Sequence, residues 1–342
     1  MKIGINGFGR IGRLVTRAYF DNEALQKNVE IVAINDLASP EEAAFGFKYD
    51  SVHRQFNGEV KAADKSIIIN GKNIKHVSCP NAAEIPWKDL GVDVVLECSG
   101  RYADKESASL HLKGGAKKVI ISAPGKGVDR TIVFGVNHKE YSAANDIVLS
   151  NASCTTNCLA PVVSVIHEKF GIAHGLMTTI HSYTNDQRLV DAGHKDPRRA
   201  RAGAINMIPT TTGAAKTVGE VIPSLKGKLD GYSVRVPTPD VSLTDVVFSL
   251  NKEVSVEEVN AALTEAANGR LKGVLAVCNE PLVSTDFTGN THSSIVDSAL
   301  TYVVGGNEKG KGSMVKICAW YDNEYGFSCR MLDLCNHIAN SL

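Results

Sequence analysis

The chain has 342 residues, long enough for two domains that each bury a core of their own. Lys plus Arg and Asp plus Glu balance at 37 each, so no global basic field argues for nucleic acid or an anionic membrane surface, and a charged substrate must be gripped locally. The eight cysteines lack the density and regular spacing of a secreted disulfide scaffold, and no apolar run approaches the roughly 18 residues of a membrane span.

In chain order, Met1 to Ile5 already read as a strand, with no room for a signal or transit peptide, so a cytoplasmic location with reduced thiols is expected. Short apolar runs at residues 2–6, 30–35, 92–97, 118–122 and 147–150 alternate with helical spacing at 10–22 and 105–112. This alternation predicts a doubly wound α/β unit, a Rossmann-type dinucleotide-binding domain over residues 1–153. Residues 154–318 differ: long strand candidates at 176–183, 232–236 and 243–250 mix with a helix at 256–267. They predict an α+β catalytic domain on a mostly antiparallel sheet. A long polar segment, 186–204, carries Arg198, Arg199 and Arg201, and ordered loops of that length are usually functional. Residues 331–342 read as an amphipathic helix.

Gly7-Phe8-Gly9-Arg10-Ile11-Gly12 is a GxGxxG element between the first strand and first helix. Gly7 permits a tight turn, Gly9 a close approach of backbone to a pyrophosphate, and Gly12 close packing of helix on strand. The second strand ends at Asp36, 24 positions after Gly12, close to the separation of roughly 20 expected of a ribose-binding acid. A carboxylate there accepts from the 2′- and 3′-hydroxyls and repels a 2′-phosphate, which favours NAD over NADP. A plain glycine turn with Asp36 as a turn residue is the alternative.

Cys154 falls where the strand ending at Ser150 runs into a helix, and backbone N–H groups with the positive end of the helix dipole favour thiolate there. Cys158, one turn further in, reads as structural. The CxxxC pair they form lacks the second close Cys or His pair that a zinc site would want, and no metal is expected. His181, at the end of an apolar strand and followed by the hydroxyl-rich exit Ser182-Tyr183-Thr184, is the candidate base. A satisfied core or surface histidine is the competing reading.

Over nearly its whole length the chain resembles the phosphorylating glyceraldehyde-3-phosphate dehydrogenases. The matching stretches are INGFGRIGR from Ile5, SNASCTTNCLAP from Ser150, HSYTNDQ from His181, RRARA from Arg198, IPTTTGAAK from Ile208, RVPTP from Arg235 and WYDNE from Trp320. The resemblance implies that Cys154 adds to the aldehyde, that His181 serves as base, and that a thioester forms and is cleaved by inorganic phosphate. It assigns Thr184 and Arg235 to the substrate phosphate, and Ser153, Thr155, Thr212, Gly213 and Arg199 to the attacking phosphate. It assigns Arg10, Ile11, Ser99, Gly100 and Ser122 to the cofactor and Asn323 to its nicotinamide carboxamide. It further implies oxidation of D-glyceraldehyde 3-phosphate with NAD, a homotetramer, and a C-terminal helix over 319–342 that returns to the dinucleotide domain.

Three departures stand out. Ala192-Gly193 replaces a common Leu-Pro and resembles enzymes that accept NADP, which leaves use of both cofactors open. Phe327 stands where many members have tyrosine, and Pro80 where an arginine often flanks the adenine. Erythrose-4-phosphate dehydrogenase, or an idle binding protein, are the alternative readings.

Overall fold

The computed structural model describes residues 1–306 and 310–341. Two compact units divide the chain: Met1–Phe134 and His138–Ser153 with the C-terminal residues from Ser328, and Gly135–Asn137 with Cys154–Phe327. No helix among the described residues is long and apolar enough to cross a membrane.

The first unit is built on nine strands: β1 (Lys2–Asn6), β2 (Glu30–Asn35), β3 (Val60–Ala63), β4 (Ser66–Ile69), β5 (Lys72–Val77), β6 (Val94–Glu97), β7 (Lys118–Ile121), β8 (Arg130–Thr131) and β9 (Val148–Ser150). Its helices are α1 (Arg10–Phe20), α2 (Pro40–Lys48), α3 (Lys105–Ala108) and α4 (Leu110–Lys113). The sheet order is β3-β4-β5-β2-β1-β6-β7-β9-β8. It is parallel from β5 through β8, with β3 and β4 joining as antiparallel hairpin strands. Chain order reverses between β1 and β6, and in such sheets the crevice for a ligand opens beyond the strand ends at that switch point. β1, β6 and β7 are almost wholly buried, as strands covered on both faces must be.

The second unit holds α5 (Cys154–Phe170), β10 (Ile172–Ser182), β11 (Ile208–Thr211), α6 (Ala214–Val221), β12 (Leu229–Val236), β13 (Ser242–Val254), α7 (Val256–Asn268), β14 (Leu275–Cys278), β15 (Ser294–Asp297), β16 (Tyr302–Val304) and β17 (Gly312–Tyr321). Its eight-stranded sheet runs β11-β12-β10-β13-β17-β15-β14, with β16 on β17; β10 pairs β12 and β14 pairs β15 in parallel, and the other pairs are antiparallel. α5 packs on β13, β15 and β17. Strand alternation then buries Met177, Thr179 and His181 of β10 and leaves Leu176 exposed.

α8 (Tyr325–Ala339) closes the chain. The expected C-terminal helix over 319–342 is corrected here: residues 319–321 finish β17, and Leu342 lies outside the described residues. The helix starts after Asp322, whose carboxylate accepts from the backbone N–H groups of Glu324 (2.9 Å) and Tyr325 (2.6 Å), serving the donors that the first turn leaves over.

Between β9 and α5 the buried Ala152 takes φ 57°, a left-handed conformation that an alanine adopts only when its surroundings impose it. The Ser150 hydroxyl holds the turn, accepting from Ala152 N–H at 3.0 Å and donating to the Ala123 carbonyl at 2.7 Å.

Candidate active site

A cleft of about 290 Å³ opens at the switch point of the first unit, and Gly7, Gly9, Asp36 and Ser99 are among its walls. Gly7 has φ 90°, and a Cβ there would lie 2.6 Å from Ser99 Cα, so the turn requires glycine twice over. A Cβ at Gly12 would lie 2.2 Å from the Gly7 carbonyl oxygen, which is how close helix and strand run. Gly9, the residue before α1, has no atom within 4 Å of where its Cβ would be, and no side chain caps the helix. A helix start without a side-chain cap, with open space before it, fits a pyrophosphate.

Asp36 stands at the end of β2, where it accepts from Phe8 N–H (2.6 Å) and Ala38 N–H (2.9 Å). Each carboxylate oxygen keeps acceptor capacity for ribose hydroxyls. Arg10, Ile11, Gly12, Gly100 and Ser122 lie outside the lining; Arg10 turns instead to Asp50, at 2.8 Å, and with the backbone N–H groups of His53 and Val52 draws that carboxyl down to about 2 against the effect of burial. Pro80 does line the cleft, and its carbonyl accepts from the Tyr102 hydroxyl at 3.2 Å.

In the second unit Cys154 opens α5 and its Sγ lies 3.5 Å from Nε2 of His181. His181 Nδ1 is 2.7 Å from the Ser182 carbonyl, which can only accept, and 3.3 Å from Arg235 Nη1, which can only donate; the shorter contact places the hydrogen on Nδ1 and leaves the Nε2 lone pair facing the thiol. The parallel register sets Arg235 of β12 opposite His181, and its guanidinium donates to the same carbonyl (3.2 Å) and to Thr184 Oγ1 (3.3 Å).

Burial, and then Arg235, hold the His181 imidazolium form down to about 3. Burial also pushes the Cys154 thiol up, opposed by Arg235 and by hydrogen bonds from Thr155. The helix start alone therefore does not make a standing thiolate, which modifies the expectation from sequence. Both effects oppose a thiolate–imidazolium pair, and the geometry lets a proton cross from Sγ to Nε2.

Thr155 is buried and its hydroxyl shares a 2.8 Å bond with Tyr321, which reaches Thr179 on its other side at 2.8 Å. Tyr321 sets its ring edge-on to His181, with centroids 6.0 Å apart. Nothing local in the sequence announces that Tyr321 crosses to α5. Thr156 Oγ1 donates to the Ala214 carbonyl at 3.4 Å, tying the first turn of α5 to the start of α6. Thr212 and Gly213 stand there, the Thr212 hydroxyl accepting from Ala214 N–H at 3.2 Å.

Arg199 donates to Thr210 Oγ1 (2.9 Å) and to the Thr211 carbonyl (3.2 Å) and pairs with Asp186; its charge also reaches His181. Arg198 is bound to the Pro209 carbonyl and Arg201 to Asp191. Ser153 directly precedes Cys154 and is partly buried. Asn323 accepts at Oδ1 from Ser242 Oγ at 2.7 Å, so its NH2 is the donor it can offer. Cys158 is buried against Thr244 Oγ1 at 3.4 Å, with burial pushing its thiol up to about 12.

A doubly wound unit with an uncapped helix start beside a ribose-type acid, and a second unit with a thiol against a lone-pair nitrogen, define a nicotinamide-dependent oxidoreductase. Comparison with known proteins makes the class particular. The family model "Glyceraldehyde 3-phosphate dehydrogenase, NAD binding domain" matches residues 1–105, and that of the C-terminal domain matches residues 153–323. A glyceraldehyde-3-phosphate dehydrogenase 1 of Bacillus cereus is 56% identical over 339 residues, covering 99% of this chain and 98% of its own. The glyceraldehyde-3-phosphate dehydrogenase of Geobacillus stearothermophilus is 54% identical over 340 residues with the same coverage. The one of Zymomonas mobilis is 52% identical over 344 residues, covering 100% of this chain and 99% of its own. The chain belongs to the glyceraldehyde 3-phosphate dehydrogenase family, and its cofactor is NAD.

Proposed function

We propose that the chain oxidises D-glyceraldehyde 3-phosphate to 1,3-bisphosphoglycerate with NAD and inorganic phosphate, in glycolysis or gluconeogenesis. The observation that carries the reading is the 3.5 Å approach of Cys154 Sγ to the unprotonated Nε2 of His181, beside the Arg235 guanidinium. Residues 1–153 with the C-terminal segment hold the cofactor, through Gly7, Gly9, Gly12, Asp36 and Ser99, with Arg10, Ile11, Gly100 and Ser122 in support. Residues 154–318 carry the chemistry.

Cys154 gives its proton to His181 Nε2 and adds to the aldehyde carbon, and His181 returns the proton to the new oxyanion. When bound, NAD supplies the hydride acceptor. His181 takes the hydroxyl proton as the hydride leaves, and a thioester remains on Cys154. Phosphate attacks the thioester carbon, the C–S bond breaks, and the acyl phosphate departs while the sulfur recovers its proton from His181. Thr184 and Arg235 grip the substrate phosphate; Arg199, Thr212, Gly213, Ser153 and the Thr155 backbone N–H serve the attacking one. Asn323 orients the nicotinamide carboxamide.

Steady-state turnover of glyceraldehyde 3-phosphate and erythrose 4-phosphate, each with and without phosphate, tests the reading. Phosphate-dependent oxidation of the first is expected. Faster, phosphate-independent oxidation of the second would replace this reading with erythrose-4-phosphate dehydrogenase.

A homotetramer in the cytoplasm belongs to the same proposal. The exposed Leu176, Tyr232 and Met314 of the second sheet, with Leu189, Ile205 and Met207 outside it, support association, since large apolar side chains left on the surface favour burial against a second copy. None of the eight cysteines forms a disulfide among the described residues, in keeping with a reducing compartment.

A further inference from the structure

Glu97 ends β6 with 1% of its surface exposed, beneath the dinucleotide cleft. Its Oε2 accepts from Asn6 Nδ2 (2.6 Å) and lies 2.8 Å from His111 Nε2; its Oε1 accepts from Ser99 N–H (2.7 Å) and Ser99 Oγ (2.5 Å). The indole N–H of Trp87 can only donate, and it lies 3.1 Å from His111 Nδ1. Nδ1 therefore holds the lone pair and Nε2 the hydrogen, so His111 donates to Glu97. Donors face both oxygens of Glu97, and the group that four donors surround is a carboxylate.

A buried carboxylate is an expensive way to fill a core, and an apolar side chain would pack there at less cost. What the charge organises is the cleft. Asn6 and Ser99 both line it. Asn6 Oδ1 accepts from Asn35 Nδ2 at 2.8 Å, and Asn35 in turn holds the Cys79 backbone at both ends, N–H at 2.8 Å and carbonyl at 3.0 Å. One anion thus sets the strand ends of β1, β2 and β6 against each other. It also borders the phosphate turn, because Gly7 runs so close to Ser99 that a Cβ on it would fall 2.6 Å from Ser99 Cα.

Resting on the NAD-binding role of this cleft, we infer that Glu97 is a positioning residue for the cofactor: it presents Ser99 and Asn6 and fixes the Gly7 turn, with His111 and Trp87 holding it from behind. Glu97→Gln keeps the shape but turns an NH2 toward one of two pairs of donors.

The test uses the intact protein, titrated with NAD by intrinsic fluorescence, alongside steady-state kinetics and thermal melting. Glu97→Gln is expected to raise the Kd and KM for NAD together, about tenfold or more, the size expected from a lost hydrogen bond to a buried charge. kcat at saturating NAD should stay within about twofold, and KM for the aldehyde should not move. His111→Phe should weaken NAD in the same sense, and His111→Gln, which can still donate to Glu97, should restore it. If Glu97→Gln fails to fold, the His111 pair carries the test. NAD affinity unchanged in Glu97→Gln or in His111→Phe, whatever the melting temperature does, overturns the inference. Wild-type protein that does not bind NAD saturably would sink the function proposed above, a separate and recognisable outcome.

Discussion

His181 can take a proton only at Nε2, since the Ser182 carbonyl commits Nδ1, and the thiol it faces is the one group that needs to lose one. Two substitutions separate the partners. Cys154→Ser should abolish turnover by several orders of magnitude while NAD affinity, measured by fluorescence titration, stays at the wild-type value. His181→Asn should lower kcat by about 10²- to 10⁴-fold, the usual worth of a positioned acid and base. The same burial that keeps His181 neutral has a stability consequence. Its folded pKa of about 3 lies below the unfolded 6.5, so its contribution is intact above pH 6.5 and is lost as pH falls from there toward 3. In urea melts over that window the His181→Asn protein should show a shallower loss of stability with acid; an unchanged slope would refute the buried, neutral histidine. Asp36 is testable for cofactor choice: Asp36→Ala should weaken NAD and narrow the gap between the NAD and NADP constants.

At the scale of elements, the start of α1 invites a paired substitution. A methyl group at Gly12 collides with the Gly7 carbonyl, so Gly12→Ala should destabilise the fold by about 1–3 kcal/mol, read as a lowered Tm. At Gly9 the methyl meets nothing, so Gly9→Ala should leave Tm alone and weaken NAD by filling the space before the helix. Much of this was legible beforehand, because the periodicities of β1, α1 and β2 and the glycine spacing are local signals. So were Cys154, at the start of its helix, and His181, near the end of its strand. What escaped were features made by non-local contact. Tyr321 reaches Thr155 and Thr179, Ser242 commits the Asn323 amide, and Glu97 gathers donors from residues 91 positions before and 14 after it. The short α6 and the strands β3 to β5 also escaped, being too brief for periodicity to separate from loop.

For the whole molecule, the exposed apolar side chains on the second sheet, Leu176, Tyr232 and Met314, predict assembly. Leu176→Lys should shift the mass in light scattering from tetramer toward smaller species, and a wild-type monomer at micromolar concentration would end that proposal. The left-handed Ala152 bears on how the protein ages. About 1–2 kcal/mol of backbone strain is held in the residue two places before the nucleophile, kept there by the Ser150 hydroxyl and the packing around it. As that packing softens on warming, this joint gains by relaxing, and it carries the sulfur with it. Turnover should therefore fade, in a temperature ramp followed by both activity and far-ultraviolet circular dichroism, some degrees before the secondary structure melts, so that an old or heated preparation is inactive while still folded.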